Sequence, residues 1–481
     1  MPGAWAYVLA NDYTDARLKE SGIKKYTAIF SGSNPAGVRA DDAVGMIANA
    51  AVDDAVVIND FDGVPFFNRP MCNVYHDAEG KPHVMAYRGE PGFAFDGGTF
   101  PPYADHGETF YECTPCAWNG SYDVPSVTGT PSEGYELFEI FPDWNTKVYL
   151  PAYWMSTVDL KATSRSGTVP DYNSVNGHMD AARTYNENAH TETMVAHMYE
   201  YVLQLVEFAT RDLQLVMMGA STLSYNSATD LSTVAETGVN RVIVANATAD
   251  KYVVGQSIVI GTSQNGIQIA DRVNITAIDV YDAENKAIYF SGDAKDITVG
   301  CYLSSRAWNN GATDIVVASS GSPGSNTSGK YPCIWRGKVD PWADAYSAIC
   351  DILIQRAGAG TVEDPYVYTP HYLSDPRKYA AGVITADYVG LRYTLPDVDG
   401  YAKTLGFDSR FNFAALTTEV GASSTTYLAG YYYYPRYDVC VVFVGGAWGN
   451  GRLCSPVYFY CGNHPSHSAF FRLARLFVTR S

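Results

Sequence analysis

Val444-Gly-Gly-Ala-Trp448-Gly-Asn-Gly451 opens the stretch whose reading decides this chain. It continues as Arg452-Leu-Cys-Ser-Pro-Val-Tyr-Phe-Tyr-Cys-Gly-Asn463 and His464-Pro-Ser-His-Ser-Ala-Phe-Phe-Arg-Leu-Ala-Arg475. Paired glycines, a tryptophan and a third glycine suit a tight turn with a buried aromatic pin. The segment after the turn mixes Arg, His, Tyr, Phe, Ser and Asn. Such side chains offer a large contact area with few rotors, as paratopes do. After Asp438 there is no Asp or Glu, while Arg452, Arg472, Arg475 and Arg480 remain. These arginines either pair with acidic groups elsewhere on the fold or, Arg452 above all, face an anionic or polar ligand.

Composition bounds the rest. The chain has 481 residues with 17% charged and 14% aromatic side chains, a profile opposed to disorder and large enough for about three cores. The formal net charge of −18 repels nucleic acid and anionic lipid, so neither is a general partner. No run approaches the ~18 apolar residues of a membrane span, so no membrane insertion is expected. The apolar run Ala4–Ala10 lacks a basic flank and reads as a strand, not a signal peptide. The cysteine count is 9, and the bland reading is buried thiols in a reducing cytoplasm. Cys113-Thr-Pro-Cys116 would need Cys72 and His76 to complete a zinc site.

Glycine, proline and aromatic residues dominate the first section, with strand-like runs at Ala55–Ile58 and His83–Tyr87 and a helix predicted over Asp41–Ala51. A strand pair is predicted between Leu137 and Val158, turning at Pro142-Asp143. Met194, Met198, Tyr201, Leu205 and Phe208 share one helical face, which predicts a helix from Asn188 to Gly219. That helix would carry His190 and His197 on one side, with Glu200 nearby. From Thr233 to Tyr331 the pattern becomes short alternating strands, which predicts a small β insert leaving through a Gly/Ser/Pro loop. A second helix is predicted from Asp340-Pro341, with Trp342, Tyr346, Ile349 and Leu353 as its apolar face. Tyr431–Tyr434 and Cys440–Val444 are strand candidates.

Dinucleotide, P-loop, zinc-protease and nucleophile-elbow motifs are all missing. Ser21-Gly-Ile-Lys24 has none of the companion motifs of its chemistry. The tail, by contrast, resembles a known family. Gly445-Gly446, Trp448, Gly451 and Ala474-Arg475-Leu476 line up with the variable region of diversity-generating retroelement target proteins. Those proteins carry a C-type-lectin fold of the formylglycine-generating-enzyme type. Tyr393-Thr-Leu-Pro396 with Gly400-Tyr401 resembles the segment before the variable strands. Trp335-Arg-Gly-Lys-Val-Asp-Pro-Trp342 resembles the family's R-G-x-E-N-x-W helix start, and Val206–Gln214 its helix before the insert. Phe67-Asn-Arg-Pro70, Ala86-Tyr-Arg-Gly89 and Tyr149–Trp154 resemble tailed-phage and prophage structural proteins of that architecture. The match departs at Arg472-Leu473, where the family has an apolar residue and Gly. Retroelement mutagenesis at adenines cannot produce Lys, Glu, Gln, Met or Trp from Asn codons, and none of these occurs from Gly449 to Phe470.

The resemblance implies an α+β chain in three parts. They are an N-terminal β-rich domain over 1–135, a C-type-lectin core over 136–232 and 332–481, and an inserted β domain over 233–331. It implies a non-enzymatic receptor-binding protein of a virion, made in the bacterial cytoplasm. Its partners would be a host cell-surface protein or glycan, other virion proteins and copies of itself, with no metal and no cofactor. The variable surface would comprise Gly449, Arg452, Leu453, Ser455, Val457, Tyr458, Tyr460, Gly462, His464, His467, Ala469 and Phe470. Trp448, Gly445, Gly446, Gly451 and Arg475 would be framework. The alternatives are a structural virion protein with an inert loop and an oxidase of the formylglycine-generating kind using Cys454 and Cys461.

Overall fold

The computed structural model describes residues 22–52, 57–100, 106–223, 228–314, 320–324 and 328–479. The strand read at Ala4–Ala10, Ser21 and Arg480 lie outside them, as do Ala55 and Val56; Val57 and Ile58, the rest of the run predicted there, are not in a strand. Strands take 35% of the chain and helices 10%, so the α+β expectation resolves to a mostly β chain.

A curled half-barrel sheet dominates the second half. Its strands are β1 (Tyr346–Ala357), β2 (Val367–Leu373), β3 (Tyr388–Gly390), β4 (Gly400–Leu405), β5 (Thr417–Val420), β6 (Tyr431–Tyr433), β7 (Val439–Val444), β8 (Phe459–Asn463) and β9 (Arg472–Leu473). The order is β3-β2-β1-β7-β8-β6-β4-β5, with β9 parallel to the start of β1. β8 pairs antiparallel with β7 and parallel with β6.

β1 occupies the place where a second helix was predicted. Tyr346 to Ile354 are buried without interruption, because the strand is covered on both faces. A continuous apolar run satisfies helical spacing by accident. Asp340 and Ala343, the supposed first turn, have φ of 51° and 78°, which no helix accommodates.

Helix α1 (Val175–Tyr185) was not anticipated; Ser174 caps it by accepting from the Gly177 N–H. α2 (Met194–Phe208) is shorter than predicted. The Thr193 side chain caps its start, and Asp351 on β1 accepts the Met194 N–H at 2.7 Å. Ala209, at φ 48°, ends it ahead of Gly219. His190 therefore sits in the strand Ala189–His190, and the two histidines share no helix face.

Every residue of α2 is buried, so its polar side chains require partners. Glu200 accepts Arg69 Nη2 at 2.7 Å and Lys338 Nζ at 2.6 Å, and also the Tyr111 hydroxyl. Glu207 accepts Arg336, Trp335 Nε1 at 2.8 Å and Asn59 Nδ2 at 2.8 Å. These bonds draw the first section onto α2. One apolar cluster accordingly runs from Phe61, Phe67 and Trp118 through Tyr199 and Leu203 to Ile352 and Val442.

The first section contains no helix at Asp41–Ala51. Asp41 ends the strand Val38–Asp41 at φ 55°. Its carboxylate accepts the Thr27 hydroxyl at 2.5 Å, and Asp42 accepts the Lys25 N–H at 2.8 Å. Both acids are thus held by the neighbouring strand Lys25–Ile29 instead of capping a helix. The predicted pair across Pro142-Asp143 is also absent. Glu136–Leu137 pairs with Ala117–Trp118, whereas Val148–Pro151 pairs with Glu108–Cys113 in a different sheet.

Residues 236–305 form a five-stranded sheet flanked by a two-stranded one, around a separate apolar cluster that includes Val242, Ile258, Ile288 and Leu303. Its two ends meet: the Ser232 N–H donates to Cys301 O at 2.8 Å and the Gly300 N–H to Ser232 O at 2.9 Å. Among the described residues no helix is long and apolar enough to cross a membrane.

Candidate ligand-binding face

The turn after β7 is a tight, glycine-rich corner. Gly445, Gly446 and Gly451 have φ of 92°, 83° and 55°. A Cβ on Gly446 would lie 2.5 Å from Cys454 Sγ, so no larger residue fits there. Trp448 is fully buried beneath the turn. Its carbonyl accepts the Leu223 N–H at 2.9 Å, and the Gly451 N–H donates to Ser221 O at 2.7 Å. The segment leading into the insert is thereby fastened to the tail.

Arg475 is also fully buried. Its guanidinium lies 4.0 Å from the Trp154 ring and donates to the carbonyls of Ala152, Val339 and Asp340. Burial raises the Asp340 carboxyl to about 7, with Arg475 pulling against that rise.

The twelve expected surface residues divide in two. Gly449 and His464 are exposed, and Arg452, Leu453, Tyr460, His467, Ala469 and Phe470 are half-buried. Ser455, Val457, Tyr458 and Gly462 are buried and leave the display face. Loop 454–458 tucks under the sheet, where His197 Nε2 donates to Pro456 O at 2.6 Å and the Tyr458 and Tyr346 hydroxyls share a 2.8 Å bond. Gly462 lies within the strand between β7 and β6. Arg452 is not a free cation: it pairs with Asp212 at 2.5 Å and donates to Ser424 O at 2.8 Å. Arg472 is buried, over the Phe443 and Phe471 rings, and donates to His467 O at 2.9 Å.

Half-exposed residues of the tail join others from the sheet in a continuous aromatic row. Ring centroids step from Tyr401 to Tyr431 (5.1 Å), Tyr433 (4.9 Å), Tyr460 (5.1 Å), Tyr346 (5.5 Å), Phe471 (5.2 Å) and Phe470 (5.2 Å). All but Tyr346 are partly open to solvent. Arg306 closes the row, its guanidinium 4.4 Å from the Phe470 ring. A second group lies at the β7 end, where Tyr437 stands 4.9 Å from His467 and 6.3 Å from His464. The sequence reading missed Tyr401, Tyr431, Tyr433 and Tyr437. Period-two alternation in Tyr431-Tyr-Tyr433 could have found two of them, since Tyr432 alone of the three is buried.

The arrangement offers flat, amphipathic rings. Cys454 and Cys461 are free and buried, and burial holds both thiols above their ordinary range. A thiolate nucleophile needs the opposite shift. Cys72, Cys113 and Cys116 are likewise buried free thiols. Among the described residues no group of three His, Cys, Asp or Glu side chains is placed to hold a metal ion. No family model matches the chain, and no curated protein matches it by sequence.

Proposed function

We propose that this protein is a receptor-binding component of a phage or prophage particle. In this reading it displays a retroelement-diversified tail on a C-type-lectin scaffold and attaches the particle to a host cell. The observation that carries the proposal is the half-exposed aromatic row. Tyrosines present apolar area and a polar tip together, at a low cost in rotor entropy, which is why they dominate adaptable binding surfaces. They stand on sheet strands, and Trp448 and the paired glycines anchor the tail behind them. Rigid support beneath variable side chains is what a preorganised site requires.

The test is attachment of labelled protein to candidate host cells, with a triple Tyr433→Ser, Tyr460→Ser, His464→Ser variant beside it. Retained melting with lost attachment supports the assignment. Attachment that survives all three changes moves the site elsewhere. On the DNA, a reverse-transcriptase gene and a near-copy of the 3′ coding end differing at adenines identify the retroelement, and their absence refutes the diversification.

A further inference from the structure

We infer that the inserted β region is one wall of the binding site, and that the cleft it forms with the tail takes a saccharide chain. This rests on the reading of the tail as a ligand-binding face. The cleft has a volume of about 460 Å³, within the ~300–1,000 Å³ range of small-ligand sites. One wall is the loop 262–268 of the insert, which joins the strands Ser257–Gly261 and Ala270–Val280. The other is Tyr172 with Ser468, Ala469 and Phe470 of the tail. Arg306 forms the floor: it is buried, stacks on Phe470, and donates to Asn265 O at 2.8 Å and Asn265 Oδ1 at 3.2 Å.

The two walls are held in register by more than the chain connections at Ser232 and Cys301. Arg272 of the insert donates to Pro170 O at 3.0 Å and lies 5.1 Å from the Tyr172 ring. Just beyond the insert's last strand, the Trp308 N–H donates to Asp344 Oδ1 at 3.1 Å. Asn310 Nδ2 donates to Trp154 O at 2.8 Å. The loop is therefore a fixed wall.

Its chemistry is that of sugar recognition. Phe470 and Tyr172 supply flat apolar faces for the C–H side of a pyranose ring. The side chains of Gln264 and Gln268 are exposed, and Ser263 and Ser468 add hydroxyls. Amides and hydroxyls both donate and accept, as adjacent sugar hydroxyls require. Among the described residues no carboxylate lines the cleft, and its one exposed aliphatic side chain is Ile267. A peptide bound by apolar anchors or by strand addition would need pockets or an open strand edge, whereas this wall is a loop.

The probe is an array of purified bacterial surface polysaccharides, with the strongest binder carried into titration. Gln264→Ala and Tyr172→Ala should each weaken that binding at least tenfold, and Gln264→Ala, on an exposed side chain, should leave the melting temperature unchanged. Undiminished binding in both variants overturns the cleft even if the triple variant above loses attachment, and the receptor-binding reading then stands without it. Attachment destroyed by protease treatment of the cells but resistant to periodate oxidation of their glycans overturns the saccharide. Absence of any attachment to cells overturns the underlying assignment as well.

Discussion

At the scale of single residues, Trp448 in the turn after β7 and Tyr460 on β8 do opposite work. Trp448 is fully buried, so Trp448→Ala should cost about 3–5 kcal/mol through the cavity it leaves. His464→Ser, on an exposed side chain, should stay within about 0.5 kcal/mol, and Tyr460→Ser, half-buried, should cost less than any of the fully buried positions. Val457→Ser and Tyr458→Ser belong with Trp448, because both side chains are buried. Thermal melts of the five variants sort them into these two groups; a stable Tyr458→Ser would return that residue to the display surface. Glycines and tryptophan were legible in the sequence because a tight turn admits few alternatives. Burial of Ser455, Val457 and Tyr458 was not, since a loop that folds under its own sheet carries no periodicity.

At the scale of elements, α2 shows what a linear reading can and cannot reach. Its apolar face was plain, but its start depends on Asp351, a residue 157 positions away from Met194. α1 was missed although Val175, His178, Met179 and Ala182 have helical spacing and are buried. A histidine and an alanine filled core positions that a search for large apolar residues passes over. Asp351 also gives α2 a pH dependence. Burial raises its carboxyl from 3.8 to about 7. Its contribution to stability is thus full below about pH 4 and lost as pH rises through 7. Asp351→Asn keeps an acceptor for the Met194 N–H and removes the charge. Urea titrations should therefore show the variant gaining on the parent between pH 4 and 7, by at most ~4 kcal/mol; a constant difference across that range would mean the carboxyl is already ionised. The insert was legible as alternating strands, and its ends meet at Ser232 and Cys301. Replacing residues 233–305, the whole insert sheet, by a Gly/Ser linker should leave a soluble remainder with a cooperative melt. Aggregation of that remainder would mean the insert completes the fold of the rest.

At the scale of the whole molecule, the chain carries a formal charge of −18, and Arg472 and Arg475 of its tail are buried against partners within the fold. Arg452 is neutralised by Asp212. Attachment to cells should therefore not weaken as salt shortens the Debye length from about 30 Å at 0.01 M to about 10 Å at 0.1 M. Arg452→Ala should leave that salt profile unchanged and instead lower stability by about 1–3 kcal/mol, since Asp212 stays buried without its cation. A parent protein that detaches in salt, with the variant insensitive, would show Arg452 reaching the ligand after all. The position of β8 has a further consequence, for the order in which the molecule can assemble. β6 and β7 precede β8 in the chain, but they reach each other only through it. Until β8 is laid between them, each presents a bare edge, and the half-barrel exists as two halves. Such edges pair readily with another chain, and contacts of long sequence separation form slowly. On the proposed reading, the segment that would face a ligand is also the keystone of folding, so every variant of the tail would be screened by folding before it met a host.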